Sequence, residues 1–433
     1  MNKVALNFIC KNESHIIERM LHSARPITDM IVAVDTGSTD DTIQHIQDFG
    51  KKEGLPTYVF TRPFDNFCNS RNYALEQLKV KAAEAGWDLD RSWGFTVDCD
   101  EWVRFTPAFT KSSLCADFYV VRQCIGRETF TRHGLYRLSK DIVWESPIHE
   151  TLVYGDPSIV KAYAFDIEIV EEPMGASWKG DLELKFLRYA EVLKVYLEEG
   201  HATFRTIYFI GDSYNAAGTY CKDAVRAHRF FEMADQYFLK AAEITGCSPE
   251  VRFMLFKKIG ENNASLGRKW PDAMASFLQA FVEYPAKAET FALIIEHYID
   301  EGKWELAYWY SKFAYTHFVL NLSEYKRILY NDESLYQWRL LFCLYFTAYR
   351  AGRRKLANTL FKKLRNLQKI HAEWFTEEDL MLIQLHAPWV LKGQNWKAIL
   401  KSLVHTVSKI IYREERNPQK SQSRAPKRIH YAA

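Results

Sequence analysis

Asp98, Asp100 and Glu101 place three acids within four positions, in the run GFTVDCDEW at 94–102. The apolar stretch before them, Phe95 to Val97, reads as a buried strand that stops at the acids. Side chains alternate along a strand, so Asp98 and Asp100 are expected on one face and Cys99 on the other. Two same-facing carboxylates repel unless a cation lies between them, and an all-oxygen pair of this kind suits Mg²⁺ or Mn²⁺. At the carboxyl end of a strand in an open α/β sheet, such a pair suits a metal holding a diphosphate. The same residues also fit a plainer reading, a solvated acidic loop after a strand.

Other polar residues fall at matching places. The first strand candidate, Val4 to Cys10, delivers Lys11, Asn12 and Glu13, a trio that taken by itself best fits capping and solvating the next helix. The second, Ile31 to Val34, delivers Asp35, then Gly37 and Ser38 in a tight turn and Asp40 and Asp41 at a helix start. Asp35 either caps that βα turn or accepts hydrogen bonds from a base or ribose. Arg71 and Asn72 are expected at the start of another helix, a position suited to anions. There Arg71 either neutralises a diphosphate or holds Asp98; its plainer role is a surface ion pair of little worth. No Gly-x-Gly-x-x-Gly and no Gly-x-x-x-x-Gly-Lys-Ser/Thr occurs, which excludes dinucleotide-fold and P-loop readings. Asp88-Leu89-Asp90 repeats the acidic spacing, but it follows a helix end and reads as a turn.

The elements that must position these residues change character along the chain. Up to about residue 170, short apolar runs (also 57–61, 118–123 and 134–138) alternate with helical stretches such as 14–24, where Ser14 is a candidate cap. That pattern predicts an α/β domain with a largely parallel, buried sheet. From about Asp181, helical periodicity takes over. Trp270 and Trp304 lie 34 residues apart, as do Ala273 and Ala307, and Ala280 and Ala314, with Ala357 in a further segment. A 34-residue period with small residues where helices cross predicts a tetratricopeptide-like array; a generic antiparallel helical bundle is the alternative. The division expected is 1–175 for the α/β domain, 181–412 for the helical repeats and 414–433 for a basic, disordered tail.

Bulk properties agree with a globular chain. A hydrophobic fraction of 48% allows well-packed cores, and a net charge of +3 gives no general reason to expect nucleic acid as partner. Eight scattered cysteines without metal-like spacing fit free thiols in a reducing compartment. The apolar N-terminal run is too short for a signal peptide, and no window has 18 consecutive apolar residues. A soluble, cytoplasmic protein without a transmembrane segment is expected.

Four motifs taken together resemble the family 2 glycosyltransferases of the GT-A type: CKNE at 10–13, VDTGSTDDT at 34–42, FCNSRNYAL at 67–75 and DCDEW at 98–102. A looser likeness extends to WESPIHE at 144–150, and members with this signature often carry tetratricopeptide-like helices behind the catalytic domain. The resemblance implies an inverting, metal-dependent transfer of a sugar from a nucleotide-sugar donor, expected to be UDP-linked, to a glycan or polypeptide acceptor. It implies uridine contacts from Glu13 and Asp35, with Asn12, Arg71, Asn72 and Asp98 around the donor. It implies Mg²⁺ or Mn²⁺ on Asp98 and Asp100, with His149 a further metal or phosphate contact. Glu150 and Glu101 are both candidates for the general base. Two alternatives stay open: a helical-repeat scaffold that binds a protein beside a non-catalytic domain, and a polypeptide glycosyltransferase whose repeats dock the acceptor.

Overall fold

The computed structural model describes residues 1–126, 128–172, 174–175, 178–320 and 331–387; the basic stretch 414–433 lies outside the described residues. The described residues form two compact units, one of Met1–Tyr237 and one beginning at Phe238.

The first unit is built on a mixed sheet. Its strands are β1 (Lys3–Cys10), β2 (Met30–Asp35), β3 (Thr57–Thr61), β4 (Ser92–Thr96), β5 (Glu101–Phe105), β6 (Phe118–Ile125) and β7 (Glu128–Arg137). A hairpin of β8 (Ile142–Glu145) and β9 (Thr151–Tyr154) stands apart, and β10 (Lys161–Glu171) returns to the sheet. The order is β3-β2-β1-β4-β7-β6-β10-β5. Along this order β3-β2-β1-β4 and the β10–β6 pair are parallel, while β4–β7, β6–β7 and β10–β5 are antiparallel. The expectation of a largely parallel sheet therefore holds for the first half alone. The reason is loop length: β6 and β7 are joined too tightly for a parallel crossover.

Both faces of the parallel half are covered, which is why its strands read as unbroken apolar runs. On one face Phe8, Ile31 and Phe95 pack with Ile17, Leu21 and Phe49 from α1 (Ile17–Ala24) and α2 (Thr42–Glu53). On the other, Val32 packs with Leu75 and Leu78 of α3 (Phe67–Glu84) and with Trp144 of β8. Local chemistry moved two helix starts. Ser14 does not cap α1; its N–H donates to Asp40 Oδ2 at 3.2 Å and the helix begins at Ile17. Asn66 caps α3 by accepting from the Asn69 N–H at 2.7 Å, so Arg71 and Asn72 lie in the second turn, behind the expected helix start.

Helices follow the sheet: α4 (Leu182–Glu198), α5 (Phe204–Tyr220) and α6 (Ala224–Ala242). The second unit continues with α7 (Pro249–Ser265), α8 (Trp270–Glu283), α9 (Glu289–Asp300), α10 (Trp304–Ala314), α11 (Leu340–Arg350) and α12 (Arg354–Ile370). Ala273, Ala307, Ala314 and Ala357 are buried in clusters where helices pack, and Ala280 is buried as well. The turns before α8, α10 and α12 each carry a glycine of positive φ, at Gly267, Gly302 and Gly352. That is the helical-repeat pattern read from the 34-residue period. No helix among the described residues is long and apolar enough to cross a membrane.

Candidate active site

The carboxyl ends of β1, β2 and β4 meet at one sheet edge, with Cys10 paired to Asp35 and Asn7 to Thr96. The loops leaving β1 and β2 are laced together there. Asp35 is buried and accepts from the Gly37 and Ser38 N–H groups at 3.0 Å, a turn that Gly37 permits at φ +110°. Asn12 donates its N–H to Ser38 Oγ at 2.9 Å and accepts from the Thr39 N–H at 2.8 Å. The Glu13 N–H donates to Thr42 Oγ1 at 2.8 Å. Asn12, Glu13 and Asp35 are thus brought together, with the Asp35 carboxylate bound into its own turn.

The acidic run departs from a strand. β4 ends at Thr96, and Asp98–Glu101 is a turn closed by the Glu101 N–H on the Asp98 carbonyl at 3.0 Å. Strand alternation therefore does not orient Asp98 and Asp100. Glu101 shapes the turn instead: it is 2% exposed, and its Oε2 accepts from the Asp98 N–H at 2.7 Å. Its Oε1 accepts from Gln123 Nε2 at 3.1 Å and from Arg132 Nη1. Burial pushes its carboxyl up to about 7 against the pull of Arg132. Cys99 packs inward, its thiol donating to the Ile9 carbonyl at 3.6 Å.

Arg71 joins the two ends of the site. Its Nη2 donates to Asp98 Oδ1 and Oδ2 at 2.9 and 3.1 Å, its Nε donates to Glu150 Oε1, and its guanidinium lies 5.1 Å from the Trp144 ring. Burial works to raise the Asp98 carboxyl, but Arg71 and Arg132 outweigh it and hold it below the usual range. Asp100 goes the other way: burial and then the charges of Asp98 and Glu13 push it up to about 7. Asn72 is used structurally, its amide donating to the Trp144 carbonyl at 2.9 Å and accepting from the Trp144 N–H at 2.8 Å. It thereby ties α3 to the segment that carries Glu150. His149, at φ +54°, stacks its ring on Phe209 at 4.1 Å, and its carbonyl accepts from Arg205 Nη2 at 2.7 Å.

Among the described residues, no three His, Cys, Asp or Glu side chains gather closely enough to hold an ion unaided. The site nonetheless fits a divalent cation shared with a diphosphate. Asp98 and Asp100 offer hard oxygen ligands in a field of excess negative charge. Gly175 leaves open the space where a Cβ would stand 2.9 Å from Asp100 Oδ2. Arg71 Nη1 is buried with no acceptor among the described residues, a donor position suited to a bound anion.

Sequence reading missed Gln123, Arg132, Glu171 and Lys185. The first two come from antiparallel strands that pass behind the acidic turn, and Lys185 comes from α4. None lies in a motif or at a diagnostic spacing. His133, beside Arg132, has a pH consequence. Burial, then the positive charges of Lys161, Arg205 and Arg132, push its pKa down to about 3. Between pH 6.5 and 3 the unfolded chain binds a proton that the folded chain refuses, so stability falls as pH drops through that window. Urea unfolding followed from pH 7 to 4 should show a steeper loss for the native protein than for His133→Gln, by at most ~1.4 kcal/mol per pH unit. Equal slopes would show that His133 stays accessible to protons.

Residues 8–105 match the family model "Glycosyl transferase family 2". An uncharacterized glycosyltransferase of Rickettsia prowazekii (strain Madrid E) is 30% identical over 101 residues, which cover 23% of this chain and 29% of the relative. A counterpart in Rickettsia conorii (strain ATCC VR-613 / Malish 7) is 30% identical over 99 residues, with the same coverage. The chain thus spans under a third of the length of these curated relatives. Among solved structures, S. aureus TarS 1-349 in complex with UDP covers 65% of this chain and 89% of its own length, at 13% identity and a TM-score of 0.26. MamA covers 46% of this chain and 98% of its own length, at 14% identity and a TM-score of 0.32. The topology above rests on strand pairing and owes nothing to these two likenesses.

Proposed function

We propose, for a chain whose residues 8–105 match family 2 of the glycosyl transferases, a metal-dependent inverting glycosyltransferase that uses a nucleotide-sugar donor, UDP-linked by expectation. The observation that carries the reading is the Arg71 bridge between Asp98 and Glu150 at the carboxyl edge of the parallel strands. It holds a diphosphate-side acid and a base candidate in one rigid frame. Glu13, Asn12 and Asp35 line the nucleoside side of that edge.

Asp98 and Asp100 would hold Mg²⁺ or Mn²⁺, which when bound supplies positive charge to the departing nucleoside diphosphate. The remaining work belongs to the chain. The Glu101 anchor fixes the turn, Arg71 fixes Asp98, and Glu150 takes the proton from the acceptor hydroxyl as it attacks. Glu150 suits that task better than Glu101. Both Glu101 oxygens already accept hydrogen bonds inside the core, whereas Arg71 donates to Glu150 at Oε1. His149 is retained as a neighbour of Glu150 and a candidate for a further metal or phosphate contact.

The test is turnover of a nucleotide-sugar panel by the native protein and by Asp98→Ala with Asp100→Ala, folding being checked by circular dichroism. Turnover should fall roughly 10³-fold or more. Unchanged turnover would sink the mechanism.

A further inference from the structure

We propose that Lys185 forms an anion subsite on the Asp100 side of the acidic turn and receives a phosphoryl group of the donor's diphosphate. The proposal rests on the glycosyltransferase reading and adds a residue that no motif marks. Lys185 lies in the first turn of α4 and is half-buried. Its ammonium sits 4.2 Å from the Trp178 ring centroid, 5.5 Å from Phe186 and 5.6 Å from Tyr189. Ring faces attract a cation and shed water, so they fix the ammonium without satisfying its three N–H donors. Among the described residues Lys185 Nζ makes no hydrogen bond and no ion pair.

Three other cations near the acidic turn have partners among the described residues. Arg132 is bound to Glu101, Arg19 to Glu172 and the Asp100 carbonyl, and Arg71 to Asp98 and Glu150. Lys185 feels Asp100 and Glu171 through space, and among the described residues no ion pair joins it to either. Two sets of unused donors therefore flank the Asp98–Glu101 turn: Arg71 Nη1 on the Asp98 side and the Lys185 ammonium on the Asp100 side. A diphosphate carries two phosphoryl groups and needs a donor at each. A lysine is a point charge on a flexible stem, which suits a phosphoryl oxygen whose position shifts as the sugar departs.

Calorimetric titration of the full chain with UDP and with uridine, each with Mn²⁺ present, tests the assignment. Native protein should bind UDP more tightly than uridine. Lys185→Met should weaken UDP by about 10- to 100-fold and leave uridine within about twofold, because one charged hydrogen bond to phosphate is lost. Lys185→Arg should restore most of the UDP affinity. Loss of UDP and uridine binding together would mean that Lys185 only supports the fold, and unchanged UDP affinity would give it no place at the diphosphate. Either result overturns the subsite and leaves the glycosyltransferase reading standing. If UDP binds normally to Lys185→Met while transfer to an acceptor is lost, the anion belongs to the acceptor and the assignment is equally overturned. Failure of native protein to bind UDP, GDP, CDP or ADP would remove both the reading and the subsite.

Discussion

Arg71→Ala is expected to cost about 3 kcal/mol of unfolding free energy and to abolish donor turnover. The size follows from what the guanidinium holds. It is 8% exposed and contacts Asp98 and Glu150, whose side chains are 33% and 12% exposed. Removing it leaves two acids facing each other with no cation between them, and the cost of an uncompensated buried charge far exceeds that of a surface pair. Arg71→Lys keeps one charge but cannot reach both partners, so it should fall between the native protein and alanine. Urea unfolding measures the first effect. A double variant, Arg71→Met with Glu150→Met, should lose less stability than the two single losses summed, because each removes the other's reason to be buried. Strict additivity would mean that the bridge is not a unit.

Glu150→Gln should lower kcat by roughly 10²- to 10⁴-fold while leaving UDP affinity nearly unchanged, since a base acts on the acceptor and not on the nucleotide. Glu101→Gln should behave in the opposite sense. Its carboxylate is buried against Arg132, Gln123 and the Asp98 N–H, so a neutral amide there disturbs the turn and lowers stability first. Steady-state kinetics with unfolding curves for both variants separates the roles. A kinetic collapse in Glu101→Gln with Glu150→Gln fully active would exchange the assignments.

The pattern of residues alone made legible the parallel strands, the edge where they end and the small-residue repeat. These signals are local: apolar runs show strands covered on both faces, and a 34-residue period shows alanines that must face a neighbouring helix. It also marked Asp98, Asp100, Arg71 and Glu150 as residues worth relating. It did not show that Asp98–Glu101 is a turn, because acids that follow a strand this closely read as its continuation. Nor did it separate Glu101 from Glu150. In the tertiary structure Gln123 and Arg132 from β6 and β7 bond Glu101 while Arg71 bonds Glu150, and the proposed choice of Glu150 as base rests on that difference. Lys185 belongs to the same class. Its rings, Trp178, Phe186 and Tyr189, lie close by in the chain, but Asp100 lies about 85 residues earlier, a relation set by packing and invisible to spacing.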